Sequence, residues 1–123
     1  MAHMDDLRRL QTLLDEFASQ RDWRKFHTPK NLVMALTGEV GELTELFQWL
    51  TPEEASTLTN DPRSRKRVEE EIADVFIYLL RLADVLDVDL IAAAHNKIGL
   101  NASRYPEDVA RGKAIKYTEL EGD

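Results

Sequence analysis

Apolar residues recur at steps of three and four along most of the chain, the spacing that places them on one face of an α-helix. This pattern predicts four main helices, at about 5–20, 28–50, 64–86 and 90–103. Thr28 followed by Pro29 is a favourable start for the second helix, and Asp87 or Asp89 can cap the fourth. Residues 51–62 carry two prolines and several turn formers, and they predict a connection around a short helix. The predicted fold is an all-α, four-helix bundle-like subunit.

The third helix is unusual because its second half is apolar nearly all round. From residue 75 to residue 86, Arg81 and Asp84 are the only polar positions. Such a helix needs a cover on more than one side. We therefore expect the helices to assemble the subunit into an oligomer.

Composition narrows the class of protein. The chain has 16 Lys+Arg against 23 Asp+Glu, a net charge of -7, and 43% hydrophobic residues, enough for a packed core. The acidic balance argues against binding of a nucleic acid polymer, because such binding depends on Lys and Arg that neutralise phosphates. The absence of cysteine from the sequence excludes disulfides, thiolate metal sites and cysteine nucleophiles.

Three expectations concern organisation and location. No apolar run approaches the roughly 20 residues that span a bilayer, and no signal-peptide core precedes the first helix. We expect no membrane partner and a cytoplasmic location. Residues 1–3, before Met4, are typical of a cloning scar, so His3 is discounted as a ligand. The expected organisation is a single all-α domain at 4–106 followed by a polar C-terminal tail at 107–123.

Carboxylates lie where apolar residues belong in the second helix. Glu39 falls inside the apolar stripe, and Glu42 lies on the shoulder of that stripe. The stripe consists of Leu32, Leu36, Val40, Leu43, Leu46, Phe47 and Leu50. Glu71 and Asp74 repeat the three-residue spacing in the third helix. If the two helices pack antiparallel, the four carboxylates can converge.

Four carboxylates form a hard oxygen-donor site, which suits Mg²⁺ or Mn²⁺ rather than zinc or copper. A di-iron bundle site needs a Glu-x-x-His pair on each of two helices, and the sequence has neither. The alternative is that these residues are solvated surface charges, the usual situation for an isolated E-x-x-E. Glu39 favours the metal site, because a buried lone carboxylate is costly unless it is paired or metal-bound.

The apolar face of the fourth helix becomes polar and cationic toward its end, at Lys97, Asn101, Arg104 and Tyr105. Lys97 and Arg104 are suited to neutralise phosphate oxygens. Arg104 has a plainer alternative, since cations are also favoured near helix C-termini without any ligand.

Five ordered segments resemble the MazG-like nucleoside triphosphate pyrophosphohydrolases, most of all the dCTP pyrophosphatase branch. They are RDWRKFHTPKNL at 21–32, GEVGELTELFQW at 38–49, EEEIADVFIYLL at 69–80, NKIGLNASRYP at 96–106 and KYTEL at 116–120. The resemblance covers nearly the whole chain after Leu7. It implies an all-α subunit that forms a homotetramer, a dimer of dimers.

The resemblance also implies an activity. It is the Mg²⁺-dependent hydrolysis of a deoxynucleoside triphosphate to the monophosphate and pyrophosphate, with Mn²⁺ as a possible substitute and nucleotide-pool sanitation as the purpose. Water attacks the α-phosphorus, and the general base is open, with Glu42 one candidate. The metal ligands carry over onto Glu39, Glu42, Glu71 and Asp74, and Lys97 joins them in the catalytic group.

Further family positions concern the nucleotide. Trp23 and Trp49 match aromatic residues that pack around the base, with ordinary core packing as the alternative. His27 matches a family histidine, and it is equally suited to capping or to a place beside a phosphate. Asn101 and Tyr105 correspond to positions that contact the nucleotide.

Leu14 is a departure from the family pattern, since animal dCTP pyrophosphatases have a histidine there that is implicated in the cytosine site. The base preference is therefore open among dCTP, a cytosine analogue, dTTP and a broader set of triphosphates. Hydrolysis of dUTP or phosphoribosyl-ATP is a related alternative. A non-catalytic, nucleotide-sensing bundle is an alternative of a different class.

Overall fold

A computed structural model describes residues 2–120, with side chains from residue 6 onward. Within that range the backbone forms seven α-helices, two 3-10 turns and no strand, which confirms the all-α prediction. The helices are α1 Ala2–Gln20, α2 Pro29–Glu45, α3 Pro52–Ser56, α4 Pro62–Val85, α5 Leu90–Arg104, α6 Glu107–Ala110 and α7 Tyr117–Leu120, and the 3-10 turns are Arg24–Phe26 and Leu58–Asn60. None of these described helices is both long and apolar enough to cross a membrane. Met1, part of the predicted cloning scar, lies outside the described residues.

Side-chain caps define where four of the helices begin. In each case a side-chain oxygen accepts a hydrogen bond from a backbone N–H of the first turn, which would otherwise lack a partner. The caps of α2, α3, α4 and α5 are Thr28, Thr51, Asp61 and Asp89. The predicted start at Thr28 is confirmed, and of the two predicted caps of the fourth helix, Asp87 and Asp89, the structure uses Asp89.

Helices α1 and α4 end in the same way. Asp22 and Asp87 follow the two helices in the left-handed conformation, with φ values of 56° and 55°. The next residues, Trp23 and Val88, each donate their backbone N–H to a carbonyl five positions earlier, at 2.8 Å in both cases. These bonds form Schellman motifs, which satisfy carbonyls at the helix ends. One of them fixes the backbone of Trp23.

Helix α2 ends at Glu45, whereas the apolar spacing predicts an end near Leu50. Beyond Glu45 three-residue hydrogen bonds appear, from Phe47 to Thr44 at 3.0 Å and from Leu50 to Phe47 at 2.9 Å, beside a four-residue bond from Gln48 to Thr44 at 2.9 Å. Apolar spacing cannot distinguish such turns from a further helical turn, because both keep the apolar side chains on one side. The predicted end of this helix is wrong.

The chain divides into two compact units, between Val88 and Asp89. In the first unit α4 is the central helix: α2 packs along it most extensively, and α1 and the Leu58–Asn60 turn also contact it. The buried residues of the first unit include Ala18, Leu32, Val68, Leu80, Ala83 and Arg81. The second unit contains α5, α6 and α7, the last two within the predicted tail. The division into a domain at 4–106 and a tail at 107–123 stays a prediction.

Large apolar side chains also lie on the surface of the first unit. On α4 they include Ile72, Phe76, Ile77, Leu79 and Val85, and on α1 and α2 they include Leu10, Leu13, Phe17, Val33, Met34 and Val40. An apolar surface of this extent is typical of a subunit that is covered by another molecule.

Candidate functional site

Helices α2 and α4 pack antiparallel, and this arrangement places the site. Ala35 of α2 and Tyr78 of α4 line one cavity, while the next helical turns bring together Glu39 of α2 and Asp74 of α4. In the direction from Ala35 to Glu39 along α2, the neighbouring residues of α4 run backwards, from Tyr78 to Asp74. The antiparallel packing on which the predicted carboxylate cluster depends is present.

The four predicted carboxylates form one cluster. Glu39, Glu42, Glu71 and Asp74 each offer one oxygen, and these oxygens all lie within 4.8 Å of one another. Glu42 is exposed and the other three are half-buried. Two members, spaced by three positions, come from each helix, so two helical turns supply the whole set.

The cluster is electrostatically unfavourable without a cation. The pKa of Glu39 is raised to about 7, first by a proton-sharing hydrogen bond with the Glu42 carboxyl, then by burial and by the neighbouring negative charges. Burial and the same neighbours raise the pKa of Glu71, against a smaller opposing effect of Arg67. The Oε2 atoms of Glu39 and Glu71 are buried and have no hydrogen-bond partner. Unpartnered buried oxygens of this kind are rare in proteins and call for a physical explanation.

A divalent cation fits the residues present. The donor set consists of carboxylate oxygens alone, which hard cations such as Mg²⁺ and Mn²⁺ prefer. Such an ion provides the partner that the two orphaned oxygens lack, and it removes the repulsion that raises the pKa of Glu39. The cluster is thus a candidate metal centre.

A cavity of 340 Å³ lies in the first unit, one helical turn from the carboxylates. It is lined by Trp23, Phe26, His27, Asn31, Leu32, Ala35 and Tyr78. The size and the aromatic walls suit a flat ring such as a nucleobase. The structure brings Trp23, a predicted base-site residue, and His27, a predicted substrate-binding residue, to this cavity.

Behind the cavity lies a charged network that sequence reasoning missed. Arg81 is 6% exposed, and its Nε donates to Nδ1 of His27 at 3.0 Å. Its Nη1 donates to Asp15 at 2.9 Å and lies 3.8 Å from Asp84. Arg24 also donates to Asp15, through Nε and Nη2 at 3.1 and 2.5 Å. The only signal in the sequence was the interruption of the apolar half of α4 by Arg81.

These partners change the ionisation of the network. Hydrogen bonds from Arg24 and then Arg81 lower the pKa of Asp15, so this carboxyl stays ionised. Burial and then the charge of Arg81 lower the pKa of His27, which favours the neutral imidazole. The Asp15 carboxylate offsets part of the charge that Arg81 buries.

Trp49 lies outside the core and outside the 340 Å³ cavity. It is 86% exposed in the turn that follows α2, and the 340 Å³ cavity is lined by other residues. Core packing in the described chain is excluded, and a role at the base stays a prediction. Leu14, the departure from the family pattern, is half-buried on α1.

The remaining predicted site residues lie in the second unit. Lys97 and Asn101 are exposed on α5. The Arg104 guanidinium lies 4.5 Å from the centre of the Tyr117 ring, and the Tyr105 hydroxyl accepts a hydrogen bond from the Tyr117 N–H at 3.2 Å. The latter contacts tie the end of α5 to α7. The roles of these four residues at a nucleotide stay predictions.

Comparison with known proteins agrees with the expected relationship. The model of the MazG-like family matches residues 35–120, a range that includes all four carboxylates. The chain belongs to the MazG-like family.

Individual relatives of this MazG-like protein are similar over most of its length. Human dCTP pyrophosphatase 1 is 50% identical over 117 residues, which cover 95% of this chain and 67% of the relative. The mouse protein of the same name is 48% identical over the same length. A solved structure of a pyrophosphatase from Archaeoglobus fulgidus superimposes with a TM-score of 0.75 at 44% identity, covering 85% of this chain and 93% of that chain. The predicted family membership is confirmed.

Proposed function

We propose that this MazG-like protein is a nucleotide pyrophosphohydrolase that converts a deoxynucleoside triphosphate, with dCTP favoured, into the monophosphate and pyrophosphate. The observation that carries this proposal is the cluster of Glu39, Glu42, Glu71 and Asp74, with two buried oxygens that lack a partner. Relatives named dCTP pyrophosphatase 1, at 48–50% identity, support the reaction class and the substrate.

The four carboxylates are the proposed metal ligands, and Mg²⁺ is the proposed ion. When bound, such an ion neutralises phosphate charge and polarises water, as divalent cations do in phosphoryl-transfer sites. The same residues would also hold Mn²⁺, since both ions prefer oxygen donors.

The chain's own residues orient the reactants. Glu42 is the exposed member of the cluster, so water reaches it, and we assign it the proton of the attacking water. The water forms a bond to the α-phosphorus as the bond to the pyrophosphate oxygen breaks. Lys97 and Arg104 are proposed to neutralise phosphate charge, and Asn101 and Tyr105 to contact the nucleotide.

The base is proposed to enter the 340 Å³ cavity beside Trp23 and His27. The cavity lies one helical turn from the carboxylates, which matches a nucleotide that extends from its base to its phosphates along α2 and α4. Aromatic stacking supplies affinity for any base, whereas discrimination needs hydrogen bonds to the base edge. Trp49 is proposed to close over the base as a second aromatic group.

The proposed assembly is a homotetramer. Its support is the apolar surface of the first unit, above all Phe76, Ile77 and Leu79 on α4, which a second copy would cover. Light scattering of the purified protein tests this assembly directly: a tetramer is expected, and a monomer at micromolar concentration would contradict it.

Pyrophosphate release from a panel of dNTPs, NTPs and 5-substituted dCTP analogues tests the activity, with Mg²⁺ and with chelator. We expect Mg²⁺-dependent release that is fastest for dCTP or a close analogue. Glu39→Gln keeps the side-chain volume and removes the charge, so it should abolish release, while Glu53→Gln, an exposed change in α3, should not. Absence of release from every substrate would refute the proposal and favour a nucleotide-sensing bundle.

A further inference from the structure

The contact between Arg81 and His27 fixes where the imidazole carries its proton. The Arg81 guanidinium is a donor only, so the atom that receives its hydrogen bond at 3.0 Å, Nδ1 of His27, must be an acceptor. A neutral imidazole whose Nδ1 accepts carries its proton on Nε2. The tautomer follows from the hydrogen-bond network rather than from a visible hydrogen.

The Nε2–H of His27 is available to a ligand. His27 lines the 340 Å³ cavity, and within the described part of the chain its recorded hydrogen bond is the one at Nδ1. A nucleobase presents carbonyl oxygens and ring nitrogens that accept such a bond. The imidazole is therefore suited to read the edge of a base, whereas the faces of the aromatic rings stack on any base.

Asp15 holds the network in place from α1. It accepts from Arg81 and from Arg24, and Arg24 directly follows Trp23. One carboxylate thus connects the central helix, which carries Arg81, to the turn that carries Trp23. Because Arg81 is buried between Asp15 and His27, its guanidinium has little freedom to choose another partner.

We propose that Arg81 is a positioning residue for base recognition: by donating to Nδ1 of His27 it holds the imidazole proton on Nε2, and so presents a fixed hydrogen-bond donor to the base. This inference rests on the proposed function for the identity of the ligand, but not for the tautomer. Arg81 acts through His27 and does not itself touch the nucleotide.

The first test determines the tautomer in the wild-type protein. Two-dimensional ¹⁵N–¹H NMR of the metal-free protein distinguishes the two imidazole tautomers and the imidazolium, with His27→Gln used to assign the signal among the three histidines. We expect the Nε2–H tautomer at pH 7.5. An Nδ1–H tautomer or an imidazolium at that pH would overturn the proposal.

The second test separates base recognition from general damage. Arg81→Met removes the donors and the charge at similar length, while Asp15 keeps its bond to Arg24. We expect the KM for dCTP to rise about tenfold with kcat within about twofold, the pattern for loss of one hydrogen bond shared by ground and transition states. Hydrolysis of 2-deoxyribose 5-triphosphate, which has no base, should be unchanged.

Arg65→Met is the matched control, because Arg65 lies on the same helix in an exposed pair with Glu69 at 2.9 Å. It should leave both substrates unaffected. Equal losses for dCTP and for the base-free triphosphate in Arg81→Met would show that Arg81 supports the fold only, and would overturn the proposal.

Failure of the proposed function can be distinguished from failure of the positioning role of Arg81. If the wild-type protein hydrolyses no triphosphate, calorimetric binding of dCMP replaces kinetics. Binding about tenfold weaker in Arg81→Met would still support the positioning role. Unchanged affinity for dCMP would overturn it.

Discussion

Neutralising Glu39 should make the protein more stable than the wild type when no metal is bound, and less stable than the wild type when metal is bound. Glu39 lies within 4.8 Å of three other carboxylate oxygens, and its pKa of about 7 means that it is mainly ionised at pH 8. Two unit charges at this distance repel by about 0.9 kcal/mol at the dielectric constant of water and about 3.5 kcal/mol at an effective value of 20. The lower figure is the better guide, because Glu42 is exposed and solvent screens it.

Glu39→Gln should therefore raise the free energy of unfolding by about 1 kcal/mol at pH 8 in chelator, a rise of about 3–5 °C in Tm for a chain of this size. With Mg²⁺ at about 100 times its Kd, the wild type should gain about 2.7 kcal/mol and the variant much less. The order of stability should thus reverse when Mg²⁺ is added.

Thermal and urea unfolding in chelator and in Mg²⁺ measure this reversal. Glu45→Gln is the matched control, since it makes the same change on the same helix at an exposed position outside the cluster. The control should stay within about 0.5 kcal/mol of wild type in both conditions. A Glu39→Gln protein that loses stability in chelator, or that gains as much from Mg²⁺ as wild type, would refute the account of the cluster.

Further predictions concern pH and single positions. Folding raises the pKa of Glu39 from 4.5 to about 7, so the stability that Glu39 contributes in chelator should be lost as pH rises through 7. His27, whose pKa is lowered on folding, has the opposite effect on stability. Comparing the Tm of wild type and Glu39→Gln at pH 5 and at pH 8 separates the effect of Glu39 from that of His27. Below pH 7, Mg²⁺ affinity measured by calorimetry should fall up to about tenfold per pH unit, as protons compete for Glu39. Leu80→Ala, at a side chain that is 1% exposed, should cost about 2–5 kcal/mol in urea unfolding, whereas Trp49→Ala should change stability by less than about 0.5 kcal/mol. Asp87→Gly should add about 0.5–1 kcal/mol, because glycine adopts the left-handed conformation without strain, and a lower urea midpoint would contradict this.

Local patterns in the sequence predicted much of the fold. The starts of α2 and α5 depend on a cap and the residues next to it, so Thr28 with Pro29 located the first, and Asp87 and Asp89 were the two candidates for the second. The end of α2 depends on whether hydrogen bonds span three residues or four, which apolar spacing does not encode. The left-handed conformation of Asp22 and Asp87 was equally unpredictable from the sequence, because glycine or asparagine is the usual residue at that position.

The carboxylate cluster was predictable because its members are paired at helical spacing and Glu39 interrupts an apolar stripe. The Arg81 network was not, because its partners lie 54 and 66 positions away in the chain. Those contacts depend on how the helices pack, and one sequence does not specify such pairings. The sequence could single out His27 as a match to a family histidine. Its tautomer could not be predicted, because it depends on the hydrogen bond from Arg81.

The division of the four carboxylates between α2 and α4 has a consequence for motion. With a cation bound, each helix is attached to the other through two ligands, so neither helix can unfold locally without releasing the ion. Amide hydrogen exchange near residues 39–42 and 71–74 should then slow together and by the same factor when Mg²⁺ is added. The metal site would in this way couple the two segments into one cooperative unit, so that a nucleotide meets a site already held in its working arrangement.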